Sequence, residues 1–353
     1  MSQRMENHYS GMLVINKEPG YTSSDVVAKL RGILHMRKIG HTGTLDPMAE
    51  GVLPVCLGSA TKLTELIADR DKEYVARLRL GVVTDTQDMT GIVLKEAPAD
   101  HIREEAIRDA AKRFCGTIEQ IPPMYSAVWS NGQRLYDLAR KGVTVERQPR
   151  AVTISELEIL SVDLPIVTMR VVCSKGTYIR TLCEDLGNAL GTGGAMEHLL
   201  RTRVGKFTLE EALTLGQVQE IMDADAAEQT QGDTSNAGSE PVRCLKAAEA
   251  EPASRPVPAG RGRAIEDHII PIDSFFADAP KVHVREEDVR FLQNGNPLSA
   301  ANLVEAALPR SERIRVYDEA GEFWALYRYD TARRRIVPVK MLHETAAQGT
   351  RRE

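Results

Sequence analysis

The stretch Gly40-His41-Thr42-Gly43-Thr44-Leu45-Asp46-Pro47 carries the most informative pattern of this chain. It places one carboxylate among glycines and small residues, between a helix-like and a strand-like segment. Glycine admits backbone conformations closed to other residues and lets a ligand approach the main chain. Pro47 disfavours the helical conformation at Asp46, so the acid is predicted to lie on an extended stem. Such a carboxylate suits a nucleophile or a base, although an Asp-Pro beside glycines is more often an ordinary turn.

Length and composition predict a soluble protein of two domains. The chain has 353 residues, of which 42% are hydrophobic, enough for a sizeable core. Its five cysteines are too few and scattered for a disulfide framework, and no pair has metal-ligand spacing. Reduced thiols favour a cytoplasmic protein. The first residues lack the apolar run of a signal peptide, and no stretch approaches membrane-spanning length.

The net charge of −5 is concentrated in one segment. Residues 223–251 hold seven acids against two bases, so the remainder of the chain is balanced. Basic residues cluster within 26–45, within 133–150 and around Arg201. A short basic run is usually a solvated face, but three of them beside glycine-rich loops favour a surface that follows phosphates.

Hydrophobic periodicity predicts alternating elements along the first 222 residues. The expected elements are a strand at 12–16, helices beginning near Ser23 or Ser24 and at Ser59, a half-buried strand at 74–80, a helix at 103–114, two strands within 152–173 and a helix after Gly176. We expect a flexible acidic linker at 223–268, a small β-rich domain at 269–345 and a disordered tail at 346–353.

Several kinds of site are set aside by their missing motifs. There is no phosphate-binding loop, and Gly191-Thr192-Gly193-Gly194 follows no predicted strand, as a dinucleotide fingerprint would. No two histidines have helical metal spacing. We therefore expect neither a metal nor a cofactor.

Asp46, Tyr74 and Arg180 remain as candidates, with His41 and Tyr178 beside them. Tyr74 lies on the apolar face of its predicted strand, where a phenol is usually a packed core residue. Arg180 lies at a helix start, where an arginine is normally a surface cap or a phosphate contact. If it points inward it needs a carboxylate partner, and pairing with Asp46 would keep that acid ionised.

Five motifs together resemble one family closely. They are GHTGTLDPMAEGVLPVCLGSATKL at 40–63, DKEY at 71–74, CSKGTYIRTLCEDLG at 173–187, NKEPGYTSSDVV at 16–27 and PPMYSAVWSNGQRLYDLAR at 122–140. In this order they resemble the bacterial tRNA pseudouridine-55 synthases, the TruB family. The resemblance implies an α+β pseudouridine synthase fold with a mixed, largely antiparallel sheet. The last part of the chain resembles the small PUA-like β domain, an RNA-binding module, of many members.

The resemblance also implies roles for the matching residues. Asp46 falls on the family's nucleophile, Tyr74 on the tyrosine that stacks on the target base, and Arg180 on the arginine that pairs with the acid. His41 falls on a residue that helps hold the flipped-out conformation of the tRNA loop, and Tyr178 and Leu199 fall on the uridine pocket. Residues 124–150 match the segment that closes over the T-arm. We expect RNA contacts from Lys17, Arg37, Lys38, Arg134, Arg140, Lys175, Arg201 and Arg203.

Two positions depart from the family pattern. Trp129 stands where a lysine is common, so stacking would replace one phosphate contact. The family's Leu-Arg-Arg-Thr reads Leu-Leu-Arg-Thr at 199–202, which loses one arginine.

The resulting hypothesis is a monomeric enzyme that isomerises uridine 55 in the tRNA T-loop to pseudouridine with an aspartate nucleophile. One alternative is a tRNA-binding or tRNA-folding module in which catalysis is secondary or lost. Another is a guide-RNA-dependent synthase, which would be expected to carry lysine-rich tails. Assaying the pure protein on one unmodified tRNA transcript separates the three.

Overall fold

The computed structural model describes residues 8–68, 70–130, 132–232 and 264–343. Its strands are β1 Gly11–Lys17, β2 Ile39–His41, β3 Glu50–Leu57, β4 Lys72–Leu80, β5 Val82–Thr84, β6 Val93–Glu96, β7 Gly116–Gln120, β8 Trp129–Ser130, β9 Gln133–Arg134, β10 Arg150–Asp163, β11 Ile166–Cys173, β12 Gly194–Val204, β13 Phe207–Thr208, β14 Lys281–Val284, β15 Ile314–Asp318, β16 Phe323–Asp330 and β17 Arg335–Met341. Its α-helices are α1 Ser23–Ile33, α2 Thr64–Ala68, α3 Glu104–Lys112, α4 Leu135–Arg140, α5 Ile179–Ala189, α6 Leu215–Gly232 and α7 Val289–Gln293.

A nine-stranded sheet forms the body of the protein. Its strand order is β1-β3-β12-β4-β11-β10-β7, with β2 added beside β3 and β13 beside β12. The β3–β12 pair is parallel, whereas the other pairs of this sheet are antiparallel. The mixed, largely antiparallel sheet expected from the resemblance is therefore confirmed.

Strand β4 shows the period-2 pattern that the sequence predicted. Tyr74, Ala76, Leu78 and Leu80 are all buried and belong to the core beneath α3 and α5. Alternate side chains of a strand point to opposite faces, so these four share one face. This places the Tyr74 ring on the face where β4 packs against the helices.

Strand β12, at the centre of the sheet, was not predicted. It pairs with β4 with register shifts at Met196/His198 and Arg201/Arg203, and each shift interrupts the alternation by which a strand is recognised. The preceding glycines serve packing: a Cβ on Gly187 of α5 would lie 2.3 Å from the Gly193 carbonyl carbon. The turn between α5 and β12 therefore requires glycine for close approach.

The helix predicted from Ser59 is mostly absent. Residues Gly58–Leu63 form a 3-10 helix, and only Thr64–Ala68 continue as the short α2. Ala60 and Leu63 are buried together with Val14 and Cys56 of β1 and β3. Packing against the sheet thus fixes this segment in the tighter turn.

The boundary of the catalytic body differs from the predicted 222/223. Helix α6 runs on to Gly232, and its Ile221 and Met222 pack on the α1 core. Ile270 exchanges backbone hydrogen bonds of 2.8 and 2.9 Å with Met12 of β1. Ala, Gln and Glu favour helix continuation, which the acidic composition concealed. The last part of the predicted linker is ordered too, since Ile265–His268 form a 3-10 helix with Ile265 buried. The rest of the predicted linker, 233–263, and the predicted tail lie outside the described residues.

The C-terminal part is a small β domain, as predicted. Its sheet has the order β14-β15-β16-β17, in which β14 and β15 are parallel. It has its own core, which includes Val284, Leu298, Val316, Trp324 and Tyr327. The predicted hairpin of β15 and β16 turns at Gly321, whose φ is +89°.

Candidate active site

The Asp46 loop is fixed to the sheet by its backbone. The Thr42 amide donates to the Pro54 carbonyl of β3 at 3.1 Å, and the Leu45 amide donates to the Ser23 hydroxyl at 2.9 Å. The Ala49 amide in turn donates to the Asp46 carbonyl at 3.1 Å. These bonds hold the main chain on both sides of Asp46, so its carboxylate has a defined direction.

Asp46 and Arg180 meet in the two-point ion pair that the sequence suggested. Arg180 Nε lies 2.9 Å from Asp46 Oδ2, and Nη2 donates to Asp46 Oδ1 at 3.3 Å. The Arg180 side chain is only 6% exposed, whereas that of Asp46 keeps 37% of its surface accessible. Bidentate arginine–carboxylate pairs are both strong and oriented. The geometry presents a fixed, reachable carboxylate on a buried arginine.

Arg180 is itself held by three further groups. It donates to the Tyr125 carbonyl at 2.8 Å and to the Thr86 carbonyl at 3.2 Å. The Asp88 carboxylate lies 3.6 Å from Arg180 Nη1. Sequence reasoning missed Asp88, because nothing in its local sequence distinguishes it from a turn aspartate. Asp88 thus supplies a second negative charge beside the buried Arg180 guanidinium.

Burial raises the pKa of Asp46 above its usual 3.8, and the adjacent Arg180 guanidinium opposes that rise. The nearby Asp88 carboxylate also pushes the pKa up. A carboxylate with a raised pKa is a better base and nucleophile than a surface aspartate. Asp46 therefore has the electrostatic setting of a reactive group.

Apolar core residues adjoin this ion pair. Leu45, Tyr74, Ile179 and Leu199 belong to one buried cluster. Leu199 of β12 lies opposite Ala76 of β4, two residues from Tyr74, so their side chains share a face. Burial raises the pKa of the Tyr74 phenol, while the Arg201 guanidinium opposes this. The structure thus brings together the predicted residues Asp46, Tyr74, Arg180 and Leu199.

Tyr178 is positioned by a residue that we did not predict. The buried Gln120 accepts a bond from the Tyr178 amide at 3.0 Å and donates to its carbonyl at 3.2 Å. These two hydrogen bonds link β7 to the first turn of α5, which carries Arg180. Burial raises the pKa of the Tyr178 phenol.

His41 lies half-buried at the end of β2. Burial and the Arg201 charge lower its pKa, so it is neutral near pH 7. Its Nδ1 is buried without a hydrogen-bond partner among the described residues. Such an atom costs free energy until a ligand satisfies it.

Lys17 and Arg201, predicted to contact RNA, instead hold the Asp46 loop from inside the protein. Lys17 is 1% exposed and donates to the Glu18, Tyr21 and Pro47 carbonyls at 2.7–2.9 Å. Arg201 is 2% exposed and donates to the Val52 carbonyl at 2.7 Å and to the Gly43 and Thr44 carbonyls at 3.5 Å. Their basic character indicated a phosphate, but buried cations must be satisfied where they lie.

The other basic residues predicted to contact RNA are accessible. Arg37, Lys38, Arg140 and Lys175 are exposed, and Arg134 is half-buried. Arg203 is half-buried, with a 2.8 Å ion pair to Asp71. These residues lie at least partly at the surface, and their predicted role stays a prediction.

Two kinds of feature are absent from the described residues. They include no group of three or more His, Cys, Asp or Glu side chains arranged to hold a metal ion. None of the helices in the described ranges is long and apolar enough to cross a membrane.

Family models match most of the chain. The model of the TruB family pseudouridylate synthase N-terminal domain matches residues 31–179. That of the tRNA pseudouridylate synthase B C-terminal domain matches residues 180–277. The fold is that of a pseudouridine synthase.

Individual relatives agree with the family models. The chain is 43% identical over 344 residues to tRNA pseudouridine synthase B of Lachnoclostridium phytofermentans, which covers 94% of this chain and 99% of the relative. It is 50% identical over 211 residues to the Clostridium tetani protein of the same name, covering 60% and 73%. The crystal structure of a Cbf5-Nop10-Gar1 complex has a chain that superposes with a TM-score of 0.61 at 26% identity, covering 94% and 83%. The chain belongs to the TruB family.

Proposed function

We propose that this protein converts uridine 55 in the T-loop of tRNA into pseudouridine, with Asp46 as the nucleophile and without a cofactor. The observation that carries the proposal is the two-point pair of Asp46 with the buried Arg180, next to the buried cluster that contains Tyr74 and Leu199. The relatives named tRNA pseudouridine synthase B support the choice of substrate.

The reaction needs an oriented carboxylate more than it needs an added reagent. Isomerisation breaks the bond from uracil N1 to C1′ of the ribose, rotates the base and joins C5 to C1′; the hydrogen on C5 leaves as a proton, and N1 takes up a proton. No net oxidation occurs. A carboxylate can add covalently to the nucleoside or remove a proton, and both roles require an ionised, fixed group. Arg180 supplies the orientation and the compensating charge.

We place the uridine pocket at the accessible side of the Asp46 carboxylate, where a uridine taken out of its stack would lie. A base inside a folded RNA loop must be extruded before its glycosidic bond can be reached, and aromatic and apolar side chains then replace its lost stacking. Tyr74 and Leu199 supply such a surface next to the acid. We assign a direct RNA contact to His41, which is half-buried at the end of β2 and which the family resemblance places beside the flipped-out tRNA loop.

The RNA contacts outside the pocket are assigned to the accessible cations. Arg37, Lys38, Arg140 and Lys175 would neutralise phosphates of the T-arm, which supplies salt-dependent affinity. We assign a second RNA contact to the small C-terminal β domain. The four described cysteines are unpaired, which fits a reducing compartment. We therefore propose a cytoplasmic monomer.

The test is an incubation of the purified full chain, alone, with an unmodified tRNA transcript, followed by mapping of pseudouridine. We expect one pseudouridine per transcript, at position 55, and none in a transcript carrying cytidine there. A T-arm stem-loop in EDTA should react too, because no metal takes part. Binding without any product would favour the tRNA-binding module. Product that appears only with an added guide RNA would favour the guide-dependent synthase.

A further inference from the structure

Trp129 is an exposed ring supported from one side. The residue is 61% exposed, and it is the one aromatic among the large apolar residues that are exposed in the described part of the chain. It forms the first position of β8 and lies opposite Arg134 in the β8–β9 hairpin. The Arg134 guanidinium carbon lies 4.7 Å from the centre of the indole ring. Arg134 thus covers one face of the ring, and the exposed area leaves the other face accessible.

The hairpin is anchored next to the Asp46 site. Tyr125, whose carbonyl accepts the 2.8 Å bond from Arg180, precedes Trp129 by four residues. Four residues of extended chain span at most roughly 14 Å, which is about four stacked base steps at 3.4 Å. The Leu135 and Tyr136 amides donate to the Val128 and Ser126 carbonyls at 2.9 and 3.1 Å. These bonds fix the approach to Trp129, so its distance from the ion pair is set by the fold.

The surroundings of the ring select a polyanion as its partner. Residues 133–150 hold Arg134, Arg140, Lys141, Arg147 and Arg150 against Asp137 and Glu146. An apolar protein partner would not favour this excess of positive charge, whereas a nucleic acid presents both phosphates and flat bases. The other tryptophan, Trp324, is 5% exposed and donates to Asp318 in its own core. Exposure is therefore specific to Trp129.

We propose that the Trp129 indole is a stacking platform for an unpaired nucleobase of the RNA that occupies the Asp46 site. This inference rests on the proposed function, since it requires an RNA at that site. Arg134 preorganises the ring and adds positive charge beneath it. Stacking of one base on an aromatic side chain changes affinity by about 5- to 150-fold.

The chain provides its own optical probe of this contact. Trp324→Phe in an Asp46→Asn background leaves Trp129 as the single tryptophan and prevents turnover. Titration with an unmodified T-arm stem-loop should quench and saturate the Trp129 emission, because a stacked base quenches an indole. The reciprocal variant, which keeps Trp324 and carries Trp129→Phe, should show little change. Unchanged Trp129 emission at saturating RNA, with binding verified by filter retention, would overturn the proposal.

Substitutions at Trp129 separate stacking from charge and from folding. We expect Trp129→Ala to raise KM or Kd for the stem-loop by about 5- to 150-fold, with the rate constant at saturation retained. Trp129→Phe should retain most of the affinity, and Trp129→Lys should lose most of it at high salt, where phosphate contacts are screened. Leu160→Ala, which removes another exposed apolar side chain, is the matched control.

The outcomes distinguish this inference from the proposed function. A wild-type protein that makes no pseudouridine would contradict the proposed function, whatever Trp129 does. A wild-type protein that reacts normally, with Trp129→Ala binding within twofold of it and the same melting temperature, would contradict the platform alone. Trp129→Lys binding as tightly as wild type at high salt would also overturn it, because a cation would then replace the ring.

Discussion

The Asp46 loop and the Trp129 hairpin use arginine in opposite ways. At the Asp46 loop, Arg180 of α5 and Arg201 of β12 are 5% and 2% exposed, and they donate their hydrogen bonds to groups of the protein. In the hairpin, Arg134 lies against a ring that is itself 61% exposed. The loop is fixed by groups that leave little freedom, whereas the hairpin offers its ring and charge to the solvent side. The difference separates a part that must hold one geometry from a part that must receive a partner.

The same contrast explains why basic residues in a sequence are poor guides to phosphate binding. Lys17 and Arg201 are of the residue types that bind RNA phosphates, yet they donate hydrogen bonds to the backbone carbonyls of Pro47 and Val52. Burial lowers the pKa of Lys17 to about 8, so even its charge is conditional. Buried cations such as Lys17 hold the Asp46 loop, and the exposed cations are the ones that we propose to bind RNA.

The largest effect is expected from the carboxylate of the loop. Asp46→Asn removes the proposed nucleophile and should lower the rate constant at saturation by about 10⁴-fold or more, with the Kd for tRNA retained within a few fold. Release of tritium from C5 of labelled uridine measures turnover, and filter retention measures binding. Asp109→Asn, on the exposed side of α3, is the control. Turnover near the wild-type level would exclude Asp46 as the nucleophile.

Arg180 should control the pH dependence of the same step. The rate requires ionised Asp46, so it should fall as the pH drops through the raised pKa of that carboxyl. Arg180→Met removes the charge that opposes the rise, so the pKa increases further and the acid limb moves to higher pH. Rates should fall by roughly 10²- to 10⁴-fold, as for other groups that orient a catalytic residue. Single-turnover rates across pH measure both, and Arg180→Lys, which keeps a charge, should shift the limb less. An unshifted limb would show that another group titrates.

The buried anchors of the loop should affect the rate more than the affinity. Arg201→Met leaves the Val52, Gly43 and Thr44 carbonyls without their donor, and a displacement of about 1 Å at a reactive group costs about 10²-fold. We therefore expect a 10- to 100-fold lower rate constant at saturation and a KM within about threefold of wild type. Burst kinetics with purified tRNA separate these quantities. A raised KM with an unchanged rate constant would instead show that Arg201 acts in RNA binding.

The smallest effect is expected at the hairpin and should be in affinity alone. Arg134→Met removes one cation, so the slope of log Kd against log salt should decrease by about 0.7–0.9. The Kd at moderate salt should rise by about fivefold, which corresponds to one exposed contact. The rate constant at saturation should stay unchanged. Lys112→Met, at a side chain 76% exposed on α3, provides the control for general charge. An equal change of slope in both variants would remove the special role of the hairpin.

The sequence predicted the parts of the fold that have an unbroken period. Strand β4 alternates without interruption from Tyr74 to Leu80, and α5 follows its glycine turn as expected. Strand β12 was missed because two register shifts interrupt its alternation. Strand β3 was indicated only as a strand-like segment after the Asp46 loop, without bounds, because its residues are buried almost without exception and include Pro54. Local patterns cannot reveal such strands, since their burial comes from neighbours distant in sequence.

The site was predictable where chemistry demanded a partner and not where the fold supplied one. The Asp46–Arg180 pair follows from the cost of an unpaired buried arginine. Asp88 and Gln120 contact the site from turns and strand ends that carry no motif. The reversed roles of Lys17 and Arg201 depend on burial, which only the packed sheet determines.

The contact between Asp225 and Ile265 has a consequence for how this chain tolerates change in length. The Ile265 amide donates to Asp225 Oδ2 at 3.2 Å, and Ile265 is buried in the α1 core, so a residue within α6 and one 40 positions later are held side by side. Joining two fixed neighbouring points costs only about 0.6 kcal/mol for each doubling of the connecting residues. A change in chain length between these two residues should therefore alter the free energy of unfolding little as long as both keep this contact. Thermal unfolding of variants with altered length there would measure this.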